Sequence, residues 1–184
     1  MDPLARLGEP APDFTLPDLT GAPHHLGTLR GGIVVLVFWS ADCAHSKRSN
    51  RTLAALRPVW GERAHVWWVA SNPNESLERL RDAALGEQIG PVLLDGDQSV
   101  AERYGAVTTP HVFVIGADGV LRYAGAPDDV DLRRPTPTRG YLAQAVEALL
   151  AGRHPEPAET PPFGCALVRG RRSGESVGEV PDFG

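Results

Sequence analysis

Cysteine is scarce: only Cys43 and Cys165 occur among 184 residues. Two thiols so far apart cannot form the dense disulfide framework of small secreted domains, so in a reducing compartment they are either chemistry or core. No apolar run approaches the roughly 20 residues that a membrane helix requires. The opening stretch MDPLARLGEP has neither a basic segment nor an apolar one. These absences point to a cytoplasmic protein that neither crosses nor enters a membrane. Strong charge is also missing. The net charge is −5, with Lys and Arg scattered along the chain, and without a basic stripe no nucleic-acid partner is expected. There is no internal repeat. The length suits one domain with extensions.

What is present alternates. Residues 10–30 mix short apolar alternation with Pro and Gly, which suits a β-hairpin or short edge strands. GGIVVLVFW, ending at Trp39, is a continuous β-branched and aromatic run, the signature of a parallel strand covered on both faces. A helix follows from Cys43, with Leu53, Leu56 and Val59 as its apolar positions. AHVWWVAS is a second buried strand, in which Trp67 and Trp68 must face opposite sides. NESLERLRDAAL reads as a helix capped by Asn74, PVLLD as a third strand and SVAERYG as a short helix. HVFVIG and VLRYAG, joined through Asp118-Gly119, form a hairpin. TRGYLAQAVEALLAG is an amphipathic helix ended by Gly152. The order β-α-β-α-β-α-β-β-α requires crossover connections, hence an α/β fold with a central mixed sheet flanked by helices. Residues 1–9 read as an N-terminal arm, 10–152 as the domain, and 153–184 as a Pro-rich extension with a stiff spacer, an apolar patch around Cys165 and a disordered last dozen or so residues.

Cys43 falls where a strand hands over to a helix. A thiol there meets unsatisfied N–H groups and the positive end of the helix dipole, which favour thiolate. His45 and Lys47 add positive character. Together these would bring a thiol below the free value of about 8.5 and make it a nucleophile at neutral pH. The alternative is an inert, buried cysteine.

The residues so far quoted resemble a thioredoxin-fold redoxin, of the class that groups thiol-disulfide oxidoreductases with alkyl hydroperoxide reductase/thiol-specific antioxidant (AhpC/TSA) proteins. The resemblance covers about residues 8–152. It is carried by GEPAPDFTLPDLTG, by VVLVFW leading to the cysteine, and by DGDQSVAERYGAVTTPHVFVIGADGVLRYAG. It implies that Thr109-Pro110 is a cis-proline step packed against the active-site cysteine, offering backbone groups to an extended partner. The alternative is an ordinary turn proline.

The departures matter. Where thioredoxin-type enzymes carry Cys-x-x-Cys, this chain has Cys43-Ala44-His45-Ser46. A hydroxyl at Ser46 can hydrogen-bond a thiolate but cannot resolve a mixed disulfide. Compared with peroxiredoxins, Ser40 stands for the threonine of their active loop, Leu36 occupies the proline position, and Pro110 falls where their peroxide-anchoring arginine belongs. A resolving thiol must come from elsewhere. Cys165 lies thirteen residues beyond Gly152, a tether reaching roughly 40 Å when extended, against a domain radius of gyration near 15 Å. Related redoxin-like chains with a Gly-Cys element after the last helix support the same pairing, although reach alone equally allows a tail cysteine docked for packing. Phe163, Ala166, Leu167 and Val168 would seat the segment, and Gly164 would relax the backbone beside the sulfur.

Three readings stay open. The first is a thiol-disulfide oxidoreductase with Cys43 attacking, Cys165 resolving, His45, Ser46 and Lys47 stabilising the thiolate, and Trp39, Ser40, Thr109 and Pro110 shaping the site. Its partners would be protein or low-molecular-weight thiols and disulfides, with an external thiol reductant. The second is a peroxiredoxin-like antioxidant acting on peroxide, and the third a monothiol binding module. A monomer or weak dimer without cofactor or metal is expected. His24, His25, His45 and His111 lack the spacing of a zinc site, and Asp95-Gly96-Asp97 lacks the later ligands of a calcium loop and reads as a solvated turn.

Overall fold

Seven consecutive apolar residues, with no polar position among them, can be satisfied only by a strand covered on both faces. Those residues are Ile33–Trp39, every one of them buried, and they form the middle of the protein. In this computed structural model, which describes residues 4–170, the chain runs β1 (Thr15–Pro17), β2 (Pro23–His25), β3 (Ile33–Trp39), α1 (Ala44–Trp60), β4 (Ala64–Ala70), α2 (Leu77–Glu87) and β5 (Val92–Leu94). It continues with α3 (Ser99–Tyr104), β6 (Thr108–Thr109), β7 (His111–Ile115), β8 (Leu121–Gly125), α4 (Tyr141–Leu150) and β9 (Cys165–Ala166). The expected disorder of the last dozen or so residues falls outside the described residues.

The main sheet has the order β5-β4-β3-β7-β8. β3, β4 and β5 are parallel, while β7 runs antiparallel to β3 and β8 to β7. This is the thioredoxin-like arrangement of a central mixed sheet between helices. The period of two sorts the side chains. Val35, Val37 and Trp39 join the layer under α1, α2 and α4, whereas Val34, Leu36 and Phe38 join the layer under α3 and the N-terminal hairpin. Trp68 and Trp67 divide between the same two layers. The Trp68 indole donates to Asn50 Oδ1 at 2.8 Å, and Asn50 donates to Glu87 Oε2 at 2.6 Å, so a buried polar chain ties α1 to α2.

Four expectations need correction. Val59 is 71 % exposed and Trp60 is the buried residue of the last turn of α1. At 100° per residue, position 60 lies over Leu53 and position 59 does not. The cap of α2 is Ser76, whose Oγ accepts the Arg79 N–H at 3.2 Å, so Asn74 and Glu75 remain in the preceding loop. α4 begins at Tyr141 because the N–H groups of Thr138 and Arg139 are already taken by Asp129 Oδ1. Asp95 is not solvated but fully buried. It accepts from the N–H groups of Val100 and Ala101 and from Ser71 Oγ, anchoring the start of α3, and burial pushes its carboxyl up.

Both edges of the sheet are covered by the ends of the chain. Asp18, beside the hairpin, bridges to Leu93 of β5, and Glu159 of the C-terminal segment bridges to Ala124 of β8. The Pro-rich stretch is therefore not a free spacer. The Ala124 N–H donates to the Ala158 carbonyl and the Thr160 N–H to the Ala124 carbonyl, both at 3.1 Å, and Thr160 Oγ1 meets the Tyr123 hydroxyl at 2.6 Å. Gly125 makes this possible, since a Cβ there would stand 2.3 Å from the Thr160 carbonyl oxygen.

His111, directly after Pro110, is 6 % exposed and accepts the Val107 N–H on Nδ1 at 3.3 Å. Burial pushes its pKa from 6.5 down to about 4. Between these values the unfolded chain binds the proton that the folded one refuses, so stability rises with pH across that window and is lost on acidification. The expected loss from pH 7 to pH 4 is about 3 kcal/mol from this group. Urea unfolding of the wild type and of His111→Asn, which keeps an acceptor but cannot titrate, measures it. The wild type should lose that much more than the variant over the interval.

Candidate active site

The carboxyl ends of the three parallel strands lie side by side, and the loops leaving them build one polar rim, the usual place for a site in such sheets. Cys43 leaves β3 as the N-cap of α1, and its Sγ accepts the Ser46 backbone N–H at 3.5 Å. The same sulfur stands 2.9 Å from the Thr109 carbonyl oxygen. The peptide bond from Thr109 to Pro110 is cis, and this step faces the cysteine. The helix N–H favours a thiolate and the carbonyl favours a thiol, so the reduced sulfur sits between opposed influences.

Cys43 is paired with Cys165 in a disulfide, with 6.1 Å between their Cα atoms. The C-terminal segment delivers Cys165 as β9, antiparallel to β6 with Thr109 opposite Cys165 and Thr108 opposite Ala166. Gly164 permits the approach. A Cβ on it would stand 2.2 Å from the Thr109 oxygen and 3.1 Å from Pro110 Cδ. With the segment in place Cys43 is only 3 % exposed, and the cover is the chain's own tail. Cys165 itself is half-buried.

The other candidate residues distribute unevenly. Ser46 is fully buried, but its hydroxyl accepts the Ser40 N–H at 3.4 Å, leaving the backbone N–H to meet the sulfur. His45 packs edge-on against Phe163 at 5.1 Å and so touches the tail rather than the sulfur. The Lys47 side chain is exposed and lines a cleft with Glu87 at the end of α2. Among the described residues neither basic side chain bonds a sulfur. Trp39 is fully enclosed in the layer under α1, its indole N–H without a partner. His24, His25 and His111 go to separate places, against Asp18, Asp13 and the Val107 N–H.

Three residues escaped the sequence reading. Ser40 Oγ donates to Glu75 Oε1 at 2.9 Å, and the Asp42 N–H reaches both, at 3.2 Å to Ser40 Oγ and 3.1 Å to Glu75. Glu75 thus braces the turn that aims Cys43. Asn72 Oδ1 accepts the Val168 N–H at 2.9 Å. Gln98 donates to the Val168 carbonyl at 2.6 Å and accepts from the Gly170 N–H at 2.8 Å. Their signal was position: each lies just beyond the carboxyl end of β4 or β5.

The AhpC/TSA family model matches residues 7–124. The chain belongs to the AhpC/TSA family. Among curated relatives, this AhpC/TSA chain is 31% identical over 119 residues to the thiol-disulfide oxidoreductase ResA of Geobacillus thermodenitrificans (strain NG80-2), covering 63% of this chain and 67% of that one. Among solved structures, a hypothetical protein from Sinorhizobium meliloti 1021 superposes with a TM-score of 0.79 at 30% identity, over 90% of this chain and 96% of the other. Peroxidoxin BcpB of Mycobacterium tuberculosis gives 0.56 at 25% identity, over 64% and 83%. The Sinorhizobium cover is too large to end at α4, so the likeness extends into the tail of this AhpC/TSA protein.

Replacing Gly164 by Ala puts a methyl into the Thr109-Pro110 backbone. Overpacking of this kind costs about 1–3 kcal/mol. The equilibrium constant for closing the Cys43–Cys165 pair in a glutathione buffer should therefore fall by roughly 5- to 150-fold, with the stability of the reduced protein unchanged. Thiol alkylation and mass spectrometry across the buffer series read the ratio directly.

Proposed function

We propose that this protein is a thiol-disulfide oxidoreductase in which Cys43 attacks and Cys165 resolves. The observation that carries the reading is the pairing of the two sulfurs through a tail docked residue by residue, since Ser46 offers no local thiol. The fold supports the roles. Cys43 meets the N-terminus of a 17-residue helix, where the dipole and an N–H oriented at Sγ favour negative charge.

In the forward half-reaction the Cys43 thiolate attacks one sulfur of a substrate disulfide. A mixed disulfide forms and the other substrate sulfur leaves as thiolate. Cys165, as thiolate, then attacks Cys43 Sγ, releasing the second substrate thiol and closing the Cys43–Cys165 bond. Two electrons pass from the enzyme dithiol to the substrate. An external thiol reductant, a thioredoxin-type protein or a low-molecular-weight thiol, returns them. It attacks Cys165, the half-buried sulfur, because Cys43 is covered by the tail, and Cys43 leaves as thiolate at the helix terminus, which is the better leaving position. A second thiol of the reductant, or a second thiol molecule, then attacks the reductant's sulfur in this mixed disulfide, releasing Cys165 as thiolate and carrying the reductant away as its own disulfide. Ser40 and Glu75 position the turn, and His45 guides Phe163 as the tail docks. We place the reaction in the cytoplasm, where such thiols are abundant.

Peroxide is the weaker substrate on the same chemistry. Its transition state calls for a cationic donor beside the sulfur, and the groups that meet Cys43 Sγ are the Ser46 N–H, the Thr109 carbonyl and Cys165. An antioxidant role would need the Cys43 thiol to react with hydrogen peroxide faster than free cysteine does, which stopped-flow mixing measures.

Cys165→Ser should stop turnover after one event. With oxidised glutathione the variant is expected to hold one glutathione per chain at Cys43, found by peptide mapping. Cys43→Ser should hold none at Cys165 above the level of a free thiol, and should show no disulfide reductase activity. Equal labelling of both single variants would reverse or remove the assignment of roles.

A further inference from the structure

The tail does more than supply a sulfur. Its seat is a peptide-binding groove, and most of the groove's contacts are to backbone. β6 pairs with β9, and the Val107 carbonyl accepts the Leu167 N–H at 3.0 Å. Asn72 accepts from Val168, while Gln98, itself 6 % exposed, holds the Val168 carbonyl with its amide nitrogen and the Gly170 N–H with its amide oxygen. None of these contacts depends on which side chains the occupant carries. Any extended chain could make them.

Sequence is read at three points. Position −1 relative to the cysteine must lack a side chain, since a Cβ would enter the Thr109 carbonyl group at 2.2 Å. Position +2 points the same way as the cysteine, because strand side chains alternate. Leu167, which fills it, is 6 % exposed and joins the core layer that includes Val69, Leu93 and Ala106. Position −2 is aromatic, Phe163 against the His45 ring. Position +1, Ala166, is exposed and free.

Reduction of the Cys43–Cys165 bond removes the covalent hold on the tail, and a groove vacated by it lies beside the Cys43 thiol. A partner's sulfur bonded to Cys43 must lie near the Thr109 carbonyl, where Cys165 lies in the disulfide. We propose that the groove is the specificity site for partner proteins, selecting extended cysteine segments of the form Gly-Cys-x-Leu or another aliphatic at the last position, preferably with an aromatic residue before the glycine. The tail is then a tethered copy of the preferred substrate, which displaces it once exchange is complete. The proposal rests on Cys43 being the attacking sulfur.

The test uses the full-length Cys165→Ser protein, equilibrated with glutathione and one of three acetylated peptides, all supplied as peptide-glutathione mixed disulfides with matching free thiols. The peptides are Phe-Gly-Cys-Ala-Leu-Val, the same with Ala in place of Gly, and the same with Asp in place of Leu. Attack of Cys43 on the peptide sulfur gives a protein-peptide disulfide and glutathione thiolate, while attack on the glutathione sulfur gives the reverse, so mass spectrometry of the intact protein counts the two products. The first peptide is expected to exceed glutathione on Cys43 by roughly tenfold or more, and each altered peptide to lose most of that advantage. Cys165→Ala should give the same order. Gln98→Ala should lower the peptide-to-glutathione ratio on Cys43 for all three peptides. Equal peptide-to-glutathione ratios for the three peptides would overturn the groove's selectivity while leaving the thiol chemistry intact. Failure of Cys43 to form either adduct would overturn both readings together.

Discussion

The structure turns on one short strand pairing, two residues of β9 against two of β6, made at the step that carries the cis-proline. It decides where the second sulfur arrives, whether Cys43 meets solvent and which backbone groups have partners. Its energy alone is small, since a hydrogen bond contributes only about 1 kcal/mol net. Its precision comes from shape: at Gly164 nothing larger than hydrogen fits against the Thr109 carbonyl. A thioredoxin-type site with its second thiol in the same helix turn needs no such device. This chain has Ser46 in that place and has moved the second thiol to a separately docked segment.

The remote thiol explains the company around the site. The loops after β3, β4 and β5 contribute Ser40, Glu75, Asn72 and Gln98, and each has a polar side-chain atom bonded to backbone. Glu75 fixes the turn before α1, and Asn72 and Gln98 fix the tail. The basic residues beside Cys43, by contrast, face elsewhere. His45 meets an aromatic ring and Lys47 points toward the end of α2, so electrostatic help for the sulfur comes from the helix terminus itself. Asp95 belongs to the same scheme of positioning, because its carboxylate anchors the start of α3 while its backbone carbonyl accepts the Gln98 N–H at 3.0 Å.

Much of the architecture could be read from residues because long apolar runs leave few options. Ile33–Trp39 has no polar side, so it had to be central, and the alternation of strands and helices then set a mostly parallel sheet. Strand-to-helix placement likewise put Cys43 at a helix start. Boundaries depended on finer physics. Asn74 and Ser76 are both good caps, and the choice fell to the bond from Ser76 to Arg79; Val59 is apolar yet rotated out of the stripe. β6 and β9 were illegible because two-residue strands carry no periodicity and exist only through each other. Glu75, Asn72 and Gln98 sit in loops of unremarkable polarity, and what makes them part of the site is the meeting of three strand ends, a tertiary fact. The Pro-rich stretch looked like a spacer because proline content reports stiffness, not docking; the bonds of Thr160 to Tyr123 and Ala124 depend on Gly125, which lies 35 positions earlier in the chain.

The way the two chain ends close the sheet has a further consequence. β8 is an outer strand, and an outer strand left bare offers a row of backbone donors and acceptors to any passing chain. Here Ala158, Glu159 and Thr160 occupy that row, as Asp18 does beside β5 on the opposite side. The segment that carries Cys165 is thus also the guard against intermolecular sheet growth. Redox chemistry and colloidal behaviour are coupled through one stretch of polypeptide, and selection on either would constrain the other.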